Sequence, residues 1–559
     1  MMKERSVLVI GLDGGSFNIL NPMIERGIMP HLASIISKAS YGDLRSTIPP
    51  ITAPAWSSLR TGMNPGKHGI YGFTKPVFTR NDRGRIEDAG VGINDASSVG
   101  GVKIWNILSE MGKKVGIVSM PFTYPPEPVN GVMVSGLMTI GKSKGATHPQ
   151  GLKQEIIDKS GVSFDRSIAD GMSITKEFLR HLIRSVEEKN RMDLYLLRTY
   201  TFDFFMTVYQ QTDTLQHYFM RFIDASHPGY DAKKAANFEP LINKFYQTID
   251  GSIARLLGYC NDDTTVLLVS DHGFAPSSRM FYVNKYLQDK GLLRVKSQKV
   301  SALAKAGFSK RRILSILSRL DLLNLKRLLS LKARKAIKNR FLMIRSLSIN
   351  YEKSIAFFNC NNEQGIYFLD HQDDDLKGKN SELKERLIAK LKSLKDPATG
   401  DRIIRNVYKR EELYHGRFLD RAPDILIQTN APWIPVSDIN VSRLFESKHE
   451  GFTSGQHSLD GIFIAKGPGI KRNFSVNDAN ITDIMSTILY LFDLPIPDTV
   501  DGKVLKEIFC EERLKESAAR RYESKYNREP SPEPGEDGSV YSRKEEEEIK
   551  KRLSELGYI

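Results

Sequence analysis

Cysteine is scarce in this sequence, and long apolar runs are missing from it. The 559 residues include three cysteines that lie far apart and form no Cys-x-x-Cys pair, namely Cys260, Cys360 and Cys510. This spacing excludes a disulfide-rich scaffold and a zinc cluster held by thiolates. No uninterrupted apolar stretch approaches the roughly 20 residues that a membrane-spanning helix needs.

The apolar run near the N-terminus is too short for a secretory signal. It extends from Val7 to Leu12 and leads directly into Asp13 and a Gly-Gly pair, whereas the apolar region of a signal peptide is longer and ends at small residues. A short run rich in β-branched residues that ends in Gly and Asp is typical of a buried strand followed by a loop. We therefore expect a soluble cytoplasmic protein, and peripheral attachment to a membrane surface stays open.

The chain is basic, but the excess of positive charge is concentrated in one segment. There are 81 Lys and Arg residues against 66 Asp and Glu residues, a formal net charge of +15. Residues 294–345 contain sixteen basic residues and one acidic residue, so this segment accounts for the whole excess and the rest of the chain is formally neutral. A phosphate-rich partner, if there is one, is therefore expected to bind this segment.

Short apolar runs that alternate with helical patterns indicate an α/β fold. Apolar runs predict buried parallel strands at 6–12, 114–120, 204–211, 264–270, 424–429 and 461–467, and helical periodicity predicts helices at 21–40 and 238–260. Such alternation is typical of a mostly parallel sheet covered by helices on both faces. Functional groups then gather beyond the carboxyl ends of the strands.

Changes in composition divide the chain into four segments. We expect residues 1–275 and 351–515 to form the two parts of a catalytic α/β core, separated by a basic helical insertion or cap at 276–350. Leu, Lys and Arg recur there at helical intervals with no strand signal. Residues 516–559 are expected to be a Pro- and Gly-rich linker followed by a short charged helix, which would serve as a docking or oligomer contact.

Six Asp and His residues follow predicted strands or lie in loops beside them, and together they suggest a metal centre. Taken one at a time, Asp13, the Asp213–His217 pair and His457 are better explained as turn, cap, surface or loop residues, whereas Asp271-His272, directly after a predicted buried strand, fits a metal role equally well. Together they offer only carboxylate and imidazole ligands, which suit zinc or manganese, and six ligands suit two ions. One pair is spaced four residues apart, which places both side chains on one face of a helix. The residues are Asp13, Asp213, His217, Asp271, His272 and His457.

Thr52 is the candidate nucleophile. It lies in a Pro- and Ala-rich turn ahead of a predicted helix, WSSLRTG, and a helix N-terminus attracts anions through its unpaired N–H groups and its dipole. A metal-coordinated hydroxyl there could lose its proton near neutral pH and attack phosphorus. The alternative is that Thr52 is only a helix N-cap. Ser57 and Ser58 are weaker candidates because they fall inside the predicted helix.

Five motifs in this order resemble the alkaline phosphatase superfamily over most of residues 6–505: GLDGG, TAPAWSSLRTGMNPGKHGI, TDTLQH, SDHGF and GQH. The sequence is most similar to type I phosphodiesterases/nucleotide pyrophosphatases and to the predicted phosphohydrolase/phosphomutase branch. The resemblance implies a three-layer α/β/α sandwich with a mostly parallel central sheet and a helical insertion. It also implies two divalent ions, Zn²⁺ or alternatively Mn²⁺, and a covalent phospho-threonine intermediate at Thr52.

The resemblance also implies how the ligands are shared between the ions. Asp13, Asp271 and His272 would hold one ion together with the Thr52 oxygen. The remaining three, Asp213, His217 and His457, would hold the other.

Departures from the family patterns narrow the expected chemistry. Sulfatases need Cys or Ser where this sequence has Thr52, so sulfatase activity is not expected. Nucleotide pyrophosphatases carry an Asn near the following proline that steadies a phosphate oxygen, and Ala55-Trp56 stand there instead. The backbone N–H of Ala53 could substitute for that Asn. Trp56 could offer an aromatic wall to a leaving group, or else be a core residue. His68 is expected to be structural.

The basic segment 294–345 has several interpretations. It could be a solvated cap, an amphipathic surface that lies on anionic lipid, or a cap that attracts phosphorylated substrates. Nucleic-acid binding ranks last because the segment has no interleaved aromatic residues on which bases could stack.

The sequence as a whole predicts a two-metal phosphohydrolase that cleaves phosphate diesters or monoesters of a phosphorylated small molecule. Two alternatives stay open at this stage. One is a metal-dependent phosphomutase, in which the phosphoenzyme returns its phosphate to the substrate. The other is a non-catalytic protein that binds membrane surfaces, against which the complete ligand set argues.

Overall fold

The structure is a computed structural model. It describes residues 2–80, 86–139, 145–164, 174–296, 349–359, 364–369, 374–439, 441–448, 453–516, 519–522 and 540–555.

The strands of the described residues are numbered in chain order. They are β1 (Met2–Leu12), β2 (Ser40–Arg45), β3 (Thr74–Arg80), β4 (Ile86–Ile93), β5 (Val115–Met120), β6 (Gly131–Ser135), β7 (Thr147–His148), β8 (Phe202–Tyr209), β9 (Thr265–Val269), β10 (Gly273–Pro276), β11 (Arg279–Tyr282), β12 (Ala356–Phe358), β13 (Gly365–Phe368), β14 (Ile404–Lys409), β15 (Ile425–Thr429), β16 (Trp433–Val436), β17 (Phe445–Ser447), β18 (Gly455–Ser458), β19 (Asp460–Lys466), β20 (Phe474–Ser475), β21 (Ala479–Asn480), β22 (Ile496–Pro497) and β23 (Arg521–Tyr522).

The α-helices are numbered in the same way. They are α1 (Phe17–Glu25), α2 (Pro30–Ile36), α3 (Thr52–Thr61), α4 (Pro65–His68), α5 (Ile104–Glu110), α6 (Leu152–Ser160), α7 (Lys176–Thr199), α8 (Gln211–Ile223), α9 (Ala232–Leu257), α10 (Val283–Asp289), α11 (Asp374–Lys392), α12 (Arg410–Leu413), α13 (Asp483–Leu491), α14 (Glu511–Glu516) and α15 (Arg543–Glu555). No helix among the described residues is both long and apolar enough to cross a bilayer.

The central sheet is mostly parallel, as predicted. Its main path runs β20-β2-β19-β9-β1-β8-β5-β6-β7, and β21 pairs with β2. Strands β9, β1, β8, β5 and β6 are parallel neighbours. Because their carboxyl ends lie at one edge, the loops after β1, β8 and β9 meet there.

Two apolar layers cover the two faces of this sheet. Along β1, Leu8 and Ile10 belong to a cluster that includes residues of α1, α2, α7, α8 and α9. The alternate residues, Val7 and Val9, belong to a second cluster with residues of α3, α5 and α13. Side chains of a strand point alternately to opposite faces, so the structure has the helix–sheet–helix layering that was expected.

The expected strand directions are wrong for two strands. Strand β19 lies in the central sheet but runs antiparallel to both β2 and β9. Strand β15 is not in the central sheet; it belongs to a separate antiparallel sheet with the order β12-β13-β15-β14. Apolar runs indicate that a strand is buried on both faces, but they carry no information on its direction or its partners.

The single helix expected over 21–40 is also wrong. The segment forms the end of α1 and then α2, with a break between them at Gly27, which has a φ of +71°. Pro30 is the first residue of α2, a position where a missing N–H costs nothing. The helix expected over 238–260 is present as part of α9, Ala232–Leu257.

The described part of the second half of the chain also forms smaller sheets outside the central one. Residues 356–447, expected in the catalytic core, contribute to two smaller sheets, β12-β13-β15-β14 and β16-β11-β17, and share a separate apolar cluster. We call residues 279–296 and 349–447 the accessory region. The chain returns to the central sheet only at β19. Of the predicted basic insertion 276–350, residues 297–348 lie outside the described residues, and most of the segment 294–345 lies there with them.

The C-terminal helix packs against its own chain. Ile549 and Leu553 of α15 are buried, as is Tyr541 just before it, in a cluster that includes Ile51 and Ala53. The Tyr541 ring stacks on the ring of Tyr124, which packs against the same cluster, with ring centroids 5.5 Å apart. The described apolar contacts of this helix are therefore with the chain's own core, and the docking or oligomer contact stays a prediction.

Leu553→Ala is expected to lower the free energy of unfolding by about 2–4 kcal/mol, because it removes a buried side chain from this contact. The comparison is Val540→Ala at a site that is 36% exposed, where a change of a few tenths of a kcal/mol is expected. Urea denaturation measures both variants. Equal stability of the two variants would show that α15 is not docked in solution.

Candidate metal centre and active site

Three adjacent parallel strands bring the candidate ligands to one edge of the sheet. In the register of the sheet, Gly11 of β1 lies opposite Val208 of β8 and Val269 of β9. Asp13 follows β1 directly, and Asp271 follows β9 after one residue. Helix α8 begins two residues after β8. The carboxyl ends of β1, β8 and β9 therefore lie side by side, and the segments that carry the candidate ligands meet there.

The first group of ligands contains Asp13, Asp271 and His272, all fully buried. Their ligand atoms lie within 4.8 Å of one another. His272 Nε2 is 3.2 Å from Asp271 Oδ2 and 3.7 Å from Asp13 Oδ1. The structure thus brings together the three residues that the family resemblance assigns to one ion.

The second group contains Asp213, His217 and His457, again with ligand atoms within 4.8 Å of one another. Asp213 and His217 lie four residues apart on α8, so the helical spacing places them on one face. Asp213 Oδ1 is 3.4 Å from His217 Nε2 and 3.2 Å from His457 Nε2. The two groups adjoin each other, because the ring of His457 stacks on that of His272 with centroids 3.7 Å apart.

Backbone carbonyls fix the orientation of all three imidazoles. The Nδ1 atom faces Gly455 O at 3.3 Å in His217, Pro50 O at 2.9 Å in His457, and Gly273 O at 3.2 Å in His272. A carbonyl oxygen only accepts, so each Nδ1 must carry the proton. In the neutral rings every Nε2 then presents a lone pair to the centre, the arrangement that metal-bound histidines adopt.

The charges of the first group are poorly compensated by the protein itself. Burial raises the pKa of Asp13 well above its usual value, and the negative charges of Asp271 and Asp213 raise it further. Burial likewise raises the pKa of Asp271 to about 7. Burial also lowers the pKa of His272 well below its usual value, so this imidazole stays neutral. A bound divalent cation would stabilise both carboxylates in their ionised form.

Two orphaned oxygens show that the first group suits a cation. Asp13 Oδ1 and Asp271 Oδ2 are buried and have no hydrogen-bond donor in the described part of the chain, yet both lie next to His272 Nε2. Leaving a buried carboxylate oxygen unpaired is costly unless a cation binds it. In the second group, the 3.0 Å between His217 Nε2 and His457 Nε2 likewise brings two lone pairs together. Each group can therefore hold one divalent ion.

The GLDGG motif shapes the first group through its glycines. A Cβ atom on Gly11 would lie 2.7 Å from the Trp56 ring, so only glycine permits this close packing. Gly14 has a φ of +70°, a conformation that glycine adopts without strain. From that position its N–H donates to Asp271 Oδ1 at 3.1 Å. The motif thus links the ends of β1 and β9.

Thr52 lies beside the first group and opens helix α3. Its Oγ1 is 3.3 Å from His272 Nε2, and its side chain is fully buried. The N-cap position of the helix is occupied by Ile51, and Thr52 is the first helical residue; its role as nucleophile stays a prediction. Ser57 and Ser58 are buried in the interior of the same helix, as expected.

Trp56 and Ala53 are both fully buried, and Trp56 belongs to the core cluster that includes Val9. This packing fits the alternative in which Trp56 is a core residue, and its role as an aromatic wall for a leaving group stays a prediction. The indole Nε1 of Trp56 donates to Asp13 Oδ2 at 3.2 Å, which orients the other carboxylate oxygen toward the centre. No local sequence pattern indicates this contact, because helix α3 and the end of β1 are far apart in the chain.

Two polar residues of α8 that were not singled out from the sequence support the loop after β1. The Thr212 hydroxyl donates to Asp13 O at 2.6 Å, and the Gln216 amide donates to Gly14 O at 3.1 Å. Thr212 directly precedes Asp213, and Gln216 directly precedes His217, on the same helix. Their positions within TDTLQH are the only signal that could have identified them.

His68 is structural, as predicted. The backbone N–H of Ile70 donates to its Nδ1 at 3.2 Å, and its Nε2 lies 2.9 Å from Ser58 Oγ. Because Nδ1 accepts, Nε2 must carry the proton and donate to the hydroxyl. Burial and the charge of Arg60 lower the pKa of His68 to about 3.

Stability is therefore expected to fall as the pH is lowered from 6.5 toward 3. In this window the unfolded chain binds a proton at His68 that the folded protein does not, and each pH unit costs about 1.4 kcal/mol. His68→Gln removes this contribution, so the stability difference between wild type and variant should shrink on acidification. Urea denaturation at several pH values measures it, with exposed His31→Gln as the control. Parallel pH profiles for wild type and His68→Gln would contradict the assignment.

Residues 7–460 match the family model of type I phosphodiesterase / nucleotide pyrophosphatase. The chain belongs to this family. The match spans both ligand groups and Thr52, and it confirms the resemblance that the five motifs indicate. Membership supports the general prediction of a phosphoester hydrolase of the phosphodiesterase type.

Solved structures similar to this phosphodiesterase-family chain include two kinds of protein. Murine ectonucleotide pyrophosphatase/phosphodiesterase 5, an inactive form in complex with AMP, is 15% identical, with 91% of this chain and 100% of that chain covered and a TM-score of 0.48. Phosphonoacetate hydrolase from Sinorhizobium meliloti 1021, in complex with phosphonoacetate, is 17% identical, with 86% and 94% covered and a TM-score of 0.48.

Proposed function

We propose that this protein is a two-metal phosphohydrolase that cleaves phosphate diesters or monoesters by attack of the Thr52 hydroxyl. The observation that carries the proposal is the position of a buried hydroxyl beside two adjoining groups of metal-ligand type. A structural threonine would need no such surroundings. Membership of the type I phosphodiesterase family supports the same chemistry.

Asp13, Asp271 and His272, with the Thr52 oxygen, would hold one ion, and Asp213, His217 and His457 would hold the other. Ions bound at these positions would compensate the charge of the phosphate and would lower the pKa of a coordinated hydroxyl. Nitrogen and oxygen donors in this ratio favour Zn²⁺, and Mn²⁺ is the ion to compare with it.

The reaction would proceed in two displacements at phosphorus. In the first, the Thr52 oxygen forms a bond to phosphorus while the bond to the leaving oxygen breaks, and the leaving alcohol takes up a proton. In the second, water displaces the Thr52 oxygen, which regains its proton, and the phosphate product is released. A diester substrate would thus yield a monoester and an alcohol.

The start of α3 would stabilise the negative charge of the phosphate. Thr52 is the first residue of this ten-residue helix, and the first N–H groups of a helix bind anions. The N–H of Ala53 is the proposed donor to a non-bridging oxygen. It would take the place of the missing asparagine side chain.

The test is hydrolysis of p-nitrophenyl phosphate and bis-p-nitrophenyl phosphate by protein stripped of metal and reloaded with Zn²⁺ or Mn²⁺. We expect hydrolysis of at least one ester by the reloaded protein and none by the stripped protein. Hydrolysis that is unaffected by chelation would refute the two-metal proposal. Protein that binds two ions but cleaves neither ester would refute the hydrolase proposal for these substrates.

A further inference from the structure

We propose that Tyr414 of the accessory region is a positioning residue for the active site. It holds the loop that leads into Thr52, and this loop also orients His457. The inference rests on the proposed function. The loop comprises residues 47–51, between β2 and α3, and we call it the nucleophile loop. Tyr414 lies more than 360 residues away in the sequence, and it contacts neither ligand group in the described contacts.

The Tyr414 hydroxyl donates a hydrogen bond to Ile48 O in the nucleophile loop. The phenol is buried, and burial raises its pKa well above the usual value, so the group is a hydrogen-bond donor at neutral pH. Among the described residues, this is the hydrogen bond by which a side chain of the accessory region contacts the nucleophile loop.

The nucleophile loop transmits this contact to the site in two ways. Pro50 O accepts from His457 Nδ1 at 2.9 Å, which fixes the ring that belongs to the second ligand group. Ile51 O accepts the first hydrogen bond of α3, from Ala55 N at 2.9 Å, which fixes where the helix, and therefore Thr52, begins. A shift of the loop would displace both groups together.

Internal hydrogen bonds connect the residues of the nucleophile loop to one another. Pro49 O accepts from the Thr47 hydroxyl at 2.8 Å and from Ile51 N at 3.0 Å. Restraint at Ile48 therefore acts on the whole of the loop. The structure thus assigns to the accessory region a part in positioning the catalytic groups, beyond covering the core.

Tyr71 provides a matched control. Its ring packs against that of Tyr414 with centroids 5.2 Å apart, it is similarly buried, and its hydroxyl also donates to a backbone carbonyl, Phe418 O at 2.7 Å. Phe418 lies in the accessory region, not in the nucleophile loop. Tyr71→Phe and Tyr414→Phe each remove one buried hydroxyl from this pair of packed rings. A similar loss of stability is therefore expected from both variants.

The test compares full-length wild type, Tyr414→Phe and Tyr71→Phe in two measurements. The first is a Co²⁺ titration followed by visible absorption, for which Tyr414→Phe is expected to bind the ion of the second ligand group, which includes His457, about 10-fold less tightly, with an altered spectrum. The second is steady-state hydrolysis by the zinc-loaded protein, for which kcat is expected to fall about 10- to 100-fold with little change in KM. Tyr71→Phe should match wild type in both measurements.

Equal behaviour of the two variants in both measurements would overturn the inference, since Tyr414 would then be only a structural contact. Failure of the proposed function looks different. In that case wild type binds two ions and hydrolyses no ester, and the Co²⁺ titration alone still decides whether Tyr414 orients the ligand group. A Tyr414→Phe titration indistinguishable from wild type would then overturn the inference.

Discussion

Thr52→Ala is expected to lower kcat for phosphoester hydrolysis by at least about 10³-fold, because removal of the nucleophile from a covalent mechanism costs several orders of magnitude. The variant should still bind two ions per chain, since three side-chain ligands remain in each group. Steady-state assays and metal analysis of the same preparation measure the two quantities. Loss of activity with the metals retained separates a chemical role from a role in metal binding.

Two variants control for the removal of a buried hydroxyl. Thr52→Ser keeps a nucleophilic oxygen and should retain part of the activity. Thr61→Ala removes a hydroxyl at the far end of the same helix, where it donates to Ser57 O and accepts from Met63 N, and should leave kcat unchanged. Activity of Thr52→Ala equal to that of Thr61→Ala would show that another group attacks phosphorus.

Asp271→Asn is expected to lower the number of tightly bound ions from two to one per chain and to abolish most of the activity. The substitution keeps the size of the side chain, and its Oδ1 can still accept from Gly14 N, but the charge that would bind the cation is lost. Metal analysis after equilibrium dialysis measures the stoichiometry. Asp263→Asn, at an exposed position ahead of β9, is the control and should bind two ions. Two ions in Asp271→Asn would refute the ligand assignment.

Asp271→Asn, which is expected to weaken metal binding, should make the folded protein more stable than wild type when metal is absent. In the metal-free folded protein, Asp271 keeps its proton up to about pH 7, whereas its usual pKa is 3.8. The folded state thus binds the extra proton in this window, and its stability falls as the pH rises from about 4 through 7. Asp271→Asn lacks this loss, so its stability advantage over wild type in chelator should increase over that range. Excess Zn²⁺ should reverse the order, because wild type binds the additional ion. Denaturation curves at several pH values, with and without chelator, measure both effects.

Features that depend on local spacing could be predicted from the sequence. Asp13 and Asp271 closely follow predicted strands, and Asp213 and His217 have helical spacing. Because the carboxyl ends of parallel strands lie at one edge of a sheet, these patterns predict that the residues lie close together. The membership of each ligand group came from the family resemblance rather than from spacing. In the structure, the six residues lie in these same two groups.

Features that depend on contacts between distant segments could not be predicted. The direction of β19 and the separate sheet of β15 follow from pairing partners, which an apolar run does not specify. The role of Trp56 depends on the close approach of α3 to Gly11. The contact of Tyr414 with Ile48 joins two regions that have no shared motif. In each case the information lies in the tertiary arrangement, which no local pattern encodes.

The stereochemical course at phosphorus tests the central claim most directly. A chiral phosphorothioate diester is hydrolysed by the zinc-loaded enzyme in isotopically labelled water, and the configuration of the product is determined. Attack by Thr52 followed by attack of water comprises two in-line displacements, so the account predicts overall retention of configuration. Inversion would show a single displacement by water without a threonine intermediate and would contradict the account.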